Sequence, residues 1–325
     1  MEQSFAQLQA AMIASNLGVL EAERKAFVKK FLKQVLICTG VLIGVIVLFT
    51  VSGSTGFSRL LVGGIIFFAA SSFLIISYNK FYKNFKAQFK GKVIPTVVKY
   101  VDERLDYDPT RSLINEYTES RIFNQRYDRH KAEDTISGTF DSTSFSFGEI
   151  HTEYKTVSTD KNGNRQESWH TIFKGMFFVS DFHKNFEGET IIDADSMERF
   201  FGKFGRNFQK WNPSRAGKLV QLENPEFEKR FAVYSTDEQE CRYILSLSMM
   251  ERLVEMSKKI NFQISLSFRN NQVYLAVFNN MDLFEPSVFG SLLKEEDYKI
   301  IISMLRLMTG VIEDLNLNTR IWTKE

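Results

Sequence analysis

Apolar residues run without a charge from 35 to 51 (VLICTGVLIGVIVLFTV) and again from 60 to 76 (LLVGGIIFFAASSFLII), with only eight residues between them. Each run approaches the roughly 17–25 residues that carry an α-helix across a hydrocarbon layer. The pattern predicts a transmembrane helical hairpin over 34–78, with spans at about 34–51 and 60–78, closed by the turn-rich string SGSTGFSR. Within the first span Gly40 and Gly44 stand one turn apart, the spacing that lets a second helix backbone approach closely. They are the candidate helix-packing contact, with the other span of the hairpin as first partner and a second copy as the alternative.

Polar and apolar positions alternate differently on either side of the spans. In residues 1–33, Phe5, Leu8, Met12 and Val19 mark one stripe and Ile13, Leu17, Leu20, Phe27 and Phe31 another. An amphipathic helical segment with two faces to cover is expected there. From 79 to 104 Lys interleaves with Phe and Tyr, which beside a span reads as interfacial anchoring and predicts a basic neck helix, interrupted near Pro95.

Residues 105–325 read as an α+β domain. Helix starts are expected at Asp108 before Pro109, Asn224 before Pro225, Asp195 with Glu198, Asp237 with Glu240 and Ser248 with Glu251. FQISLSFR and QVYLAVF flank Asn270 and Asn271, so a two-residue turn pairs Phe268 with Val273, Leu266 with Leu275 and Ile264 with Val277, leaving Ser265 and Ser267 on a wet face. A second hairpin should turn at Asn162 and Gly163, and the stretch TISGTFDSTSFSFGE before it alternates too. The strands together predict a small antiparallel sheet with packed helices. Tyr298, Ile301, Ile302, Leu305, Met308, Ile312 and Leu315 recur at helical spacing, predicting a C-terminal amphipathic helix that docks on that sheet. Gly202 and Gly205 in FFGKFGRNF read as the end of a helix.

Charge refines the placement. Residues 1–92 carry 11 Lys and Arg against 3 Glu (net +8), while the remainder carries 30 basic and 36 acidic residues (net −6). Arg24, Lys25, Lys29, Lys30 and Lys33 precede the first span, Lys80, Lys83, Lys86, Lys90 and Lys92 follow the second, and the connector holds only Arg59. Basic flanks stay on the cytoplasmic side, so both termini are expected in the cytoplasm of a multi-pass membrane protein whose other partner is the lipid bilayer. The first 20 residues lack the charge pattern and cleavage site of a secretory signal, so the spans are expected to be retained. An acidic body excludes nucleic acid, whose binding needs clustered Lys and Arg.

Candidate chemistry is sparse. Cys38 in a span and Cys241 in the body form no disulfide framework, and the four histidines (His130, His151, His170, His183) show neither HExxH spacing nor a nearby CxxC. No nucleotide-binding glycine motif stands between a strand and a helix, so no cofactor is implied. The charge-free spans argue against ion or proton transport.

Three strings, NPEFEKRFAVYSTDEQECRYILS (224–246), FKGMFF (173–178) and ISLSFRNNQVYLAVF (264–278), resemble the bacterial domain-of-unknown-function family 3137 over roughly residues 25–290. Cys241 departs from the small residue expected at its position. The resemblance implies a two-span protein of the bacterial inner membrane with a cytoplasmic α+β domain, and supplies no catalytic residue. The function expected is a membrane-anchored interaction or scaffold module with a protein partner or a homo-oligomer. The alternatives are a membrane-surface enzyme using His151, Glu153, His170, Asp181 and His183, and an oligomeric channel built from the hairpins. In the two-residue-turn register His170 would lie opposite Lys155 and His151 opposite Lys174, on a polar surface.

Overall fold

The computed structural model describes residues 17–51, 57–159, 161, 163–182, 186–194, 217–260, 262–315 and 317. The start of the N-terminal segment, Asn162, His183, the Asp195/Glu198 helix start and the Gly202/Gly205 helix end lie outside the described residues. The chain divides into two compact units, 1–100 with 284–299, and 101–283 with 300–325.

In the first unit, helix α1 (Leu17–Val51) and helix α2 (Phe57–Gln88) each hold a stretch long and apolar enough to cross a membrane, no part of which is buried inside the chain. Leu36, Ile37, Phe68 and Ile76 are more than 60% exposed there. Among the described residues nothing lies within 4 Å of where a Cβ would sit on Gly40 or Gly44, so the hairpin leaves both glycines open. Below the apolar stretches the two helices engage closely. Phe27 stacks on Phe81 at 3.8 Å, and Leu17, Leu20, Phe85 and Phe89 are buried.

The helix breaks register as Pro95 approaches. Residues Phe89–Val93 form a π-turn, in which Ile94 N–H donates to Phe89 O, before helix α3 (Ile94–Val101) resumes. Proline has no N–H and crowds the carbonyl four residues earlier, so a wider turn just ahead of it accommodates the ring without ending the helix.

The same unit includes 284–299, which docks on α1. Glu21 and Arg24 are buried and joined by two hydrogen bonds of 2.8 Å. Arg24 donates further to Val288 O at 2.9 Å, while Leu292 N and Ser291 Oγ donate to the Glu21 carboxylate at 3.1 and 3.3 Å. Arg24 holds the Glu21 carboxyl down at about 2, against the desolvation that would raise it. Lys86 on α2 and the buried Lys90 in the π-turn reach Glu285 at 2.5 and 3.3 Å.

Among the described residues the second unit is built on one antiparallel sheet of nine strands, larger than the alternation predicted. The strands are β1 (Asp106–Asp108), β2 (Arg129–Phe140), β3 (Thr143–Thr159), β4 (Arg165–Asp181), β5 (Thr190–Ala194), β6 (Lys218–Val220), β7 (Phe231–Ser235), β8 (Gln263–Arg269) and β9 (Gln272–Phe278), in spatial order β1-β2-β3-β4-β9-β8-β5-β7-β6. Among the described residues the helices of the unit are α4 (Ile114–Glu119), α5 (Pro225–Glu228), α6 (Glu238–Ile244), α7 (Leu247–Lys259) and the larger part of α8 (Glu295–Asp314).

Pairing of β8 with β9 follows the predicted register, Phe268 with Val273, Leu266 with Leu275 and Ile264 with Val277, across a turn in which Asn270 and Asn271 adopt φ of 54° and 57°. The predicted wet face is dry, however: Ser265 and Ser267 are buried at 1% and 0% exposure. Their neighbours on that face, Tyr274, Ala276, Phe177 and Val179, form a core with Leu113, Tyr117 and Ile122 from the α4 segment, which covers the sheet. The opposite face is lined by Phe147, Met176, Phe178, Leu266, Phe268 and Leu275, all fully buried. With both faces covered, side-chain polarity no longer reports which side is in.

Two helix starts stand as expected. Asn224 accepts from Glu226 N and Phe227 N, and Asp237 from Gln239 N and Glu240 N. Glu240 turns away from its predicted capping box to accept from Glu187 N and Gly188 N. Helix α7 begins two residues before the expected place, capped by Ser246 rather than Ser248. Asp108 caps no helix: it accepts from Thr110 N, closing a turn in the segment that leaves β1. The seven apolar positions of α8 and its end, from Tyr298 to Leu315, are all buried.

Candidate functional site

Strands β3 and β4 run 17 residues each and outlast their neighbours. Pairing of β2 with β3 ends at Arg129 and Glu153, and pairing of β4 with β9 ends at Met176 and Val277. Beyond Glu153 the segments 154–159 and 165–170 pair only with each other, with nearly every side chain at least partly exposed. The result is a two-stranded arm whose outer backbone edges are free among the described strands.

The register explains how the arm turns. Thr159 pairs with Arg165, so the connection is longer than the predicted two residues, and Gly163 within it has φ of 83°. A shift between Thr152 and Glu153 leaves Ile172 unpaired as a bulge, after which His151 meets Lys174 as expected. On the arm side of that bulge His170 lies opposite Tyr154 instead of Lys155.

Polar side chains lace the base of the arm. The Arg129 guanidinium lies over the Trp169 ring at 3.9 Å while its Nε donates to Glu153 at 2.6 Å. Asp128 accepts from Lys155 N at 2.6 Å, satisfying one edge donor, and Lys155 Nζ pairs with Glu167 at 3.0 Å. Arg129 lowers the Glu153 carboxyl below its ordinary value. Val157 (52% exposed) and Trp169 (38%) present apolar surface between these charges.

The histidines proposed for catalysis are apart. His151 Nε2 faces Thr171 Oγ1 at 3.2 Å and Glu153 at 4.0 Å, and burial holds its pKa below the usual value although Glu153 pulls it up. His170 shares a hydrogen bond of 2.9 Å with Thr156 Oγ1 and stacks on Tyr154. Asp181 pairs with Gln272 at the far end of β4, roughly 35 Å along the strand from His170 at 3.2–3.4 Å per residue. The Cys241 thiol is fully buried and pushed up to about 11, which keeps it protonated and unreactive. Sequence reading missed the arm because its strands alternate like any others; the signal lay in their length against the shorter β8 and β9.

No curated protein and no solved structure matches the chain. All three strings that carried the sequence resemblance lie within one matched segment, which begins at the base of the arm and ends just beyond α8, later at both ends than the strings alone suggested. By residues 171–317, just under half of its length, this chain matches the family described as Protein of unknown function (DUF3137).

Proposed function

We propose that the protein is a membrane-anchored interaction module, held in the bilayer by α1 and α2 with both termini in the cytoplasm, and offering the β3–β4 arm to a protein partner or a second copy. The observation that carries this reading is the arm itself. An exposed pair of strands with a Trp, a Val and ordered charges is the form that accepts an added strand or a clamping loop. Anchoring draws support from the exposed apolar helices and from basic residues on both outer flanks. Gly40 and Gly44, open among the described residues, supply a surface for a helix of another chain.

A photo-crosslinking residue in place of Val157 tests the reading in intact cells. Discrete crosslinked species that persist after alkaline washing of membranes support it. A protein washed from the membrane, or no crosslink from Val157 and two further arm positions, refutes it.

A further inference from the structure

A cleft of about 800 Å³ opens in the second unit beside the ends of β9 and β5, where α5 leads into β7 and α7 into β8. Beside it the regular pairing of β4 with β9 ends at Met176 and Val277, and the two chains stay close as Asn280 N donates to Lys174 O at 3.2 Å. A Cβ on Gly175 would lie 2.0 Å from Val277 O, so only glycine lets the strands pass there. The volume suits a small organic molecule.

The lining is divided in kind. Ile172, Phe231, Ile264 and Phe278 give an apolar wall. Asn279 and Gln263 also line it, and each keeps a buried side-chain amide nitrogen with no hydrogen-bond partner among the described residues. Asn279 is only 6% exposed, and its orientation is fixed because Oδ1 accepts from Met281 N at 3.1 Å, leaving Nδ2 as the spare donor. A buried amide donor without an acceptor costs about 1–3 kcal/mol, a penalty that a ligand acceptor relieves.

Charge fixes the sign of the ligand. Lys174 is taken by Asp282 at 2.8 Å, and Lys258 by Glu226 at 2.7 Å. Lys229 and Arg230 line the cleft, are exposed, and have no carboxylate within ion-pair distance among the described residues. These two cations, two spare amide donors and an apolar wall together select an acceptor-rich anion with a compact apolar end. From this juxtaposition we infer that the cleft binds a small organic anion, a phosphate or carboxylate group held by Asn279, Gln263, Lys229 and Arg230, with its apolar end against Phe231 and Phe278.

Phenyl phosphate titrated into the full chain in neutral detergent, read by calorimetry and by saturation transfer to the ring protons, tests the assignment. Saturable binding is expected, at least about tenfold tighter than that of inorganic phosphate and absent for benzylamine. Asn279→Asp keeps the acceptor for Met281 N while removing the spare donor, and should weaken binding about tenfold or more. Lys229→Gln with Arg230→Gln, both on exposed side chains, should do the same without altering the melting temperature, and decides the matter should Asn279→Asp fail to fold. Absent saturation, benzylamine binding as well as phenyl phosphate, inorganic phosphate binding equally well, or affinity unchanged in the folded variants overturns the inference.

Discussion

Arg24→Leu should release residues 284–299 from α1 while leaving the sheet unit intact. Glu21 titrates at about 2 against an ordinary 4.5, and each tenfold change in an ionisation constant is worth about 1.36 kcal/mol, so its ionised form supplies about 3 kcal/mol at neutral pH. Arg24 is the leading cause, and removing it strands a buried carboxylate whose remaining partners are Leu292 N, Ser291 Oγ and Lys25 at 3.6 Å. Stranding one member of a buried pair costs about 3–5 kcal/mol. An opening made about 3 kcal/mol easier speeds hydrogen exchange roughly 150-fold. Exchange followed by mass spectrometry on peptides covering 284–299 should show that acceleration in the variant. Glu21→Gln combined with Arg24→Leu, which removes both charges, should recover part of the protection. A depressed carboxyl stabilises above its unfolded pKa and loses the contribution as pH falls through its folded one. Protection of these peptides in the unaltered chain should therefore decline between about pH 4.5 and 2. Exchange in Arg24→Leu within threefold of the unaltered chain would refute the reasoning.

Gly175→Ala should lower stability by about 3 kcal/mol or more, read as a fall in melting temperature, because the added carbon meets the backbone of β9 and no side chain can yield. Phe268→Ala should cost about 3–5 kcal/mol, since the ring is fully buried, whereas Phe289→Ala, at a ring 61% exposed, should cost about 1 kcal/mol or less by the same measurement. Trp169→Ala removes an exposed cation–π contact and should change the melting temperature little, at about 0.5–1 kcal/mol, while reducing crosslinks from the arm. Gly44→Leu should leave the monomer's stability unchanged and reduce crosslinked oligomers in membranes; unchanged oligomers would remove the helix contact proposed for it.

Features written in local chemistry were legible in the sequence. The Asn270–Asn271 hairpin could be placed to the residue because turn type and period-two alternation both constrain it, and the Asn224 and Asp237 caps because each acts within three residues. Ser265 and Ser267 misled because the α4 segment, about 150 residues earlier in the chain, covers their face of the sheet. His170 was misplaced by one bulged residue, Ile172, which shifts every pair on the arm side of it. The cleft could not be read at all: Gln263, Asn279 and Arg230 come from different elements and are ordinary polar residues until the fold brings them together.

The Glu21 clasp also sets an order of events during synthesis. Leu292 follows Glu21 by 271 residues, so at about 5–20 residues per second the carboxylate waits roughly 15–50 s for its last backbone donor. Both apolar helices leave the ribosome early in that interval. They must commit to their surroundings while Glu21 and Arg24 still lack the segment that closes over them, and closure then acts as a late latch, available only to chains whose sheet has already been made.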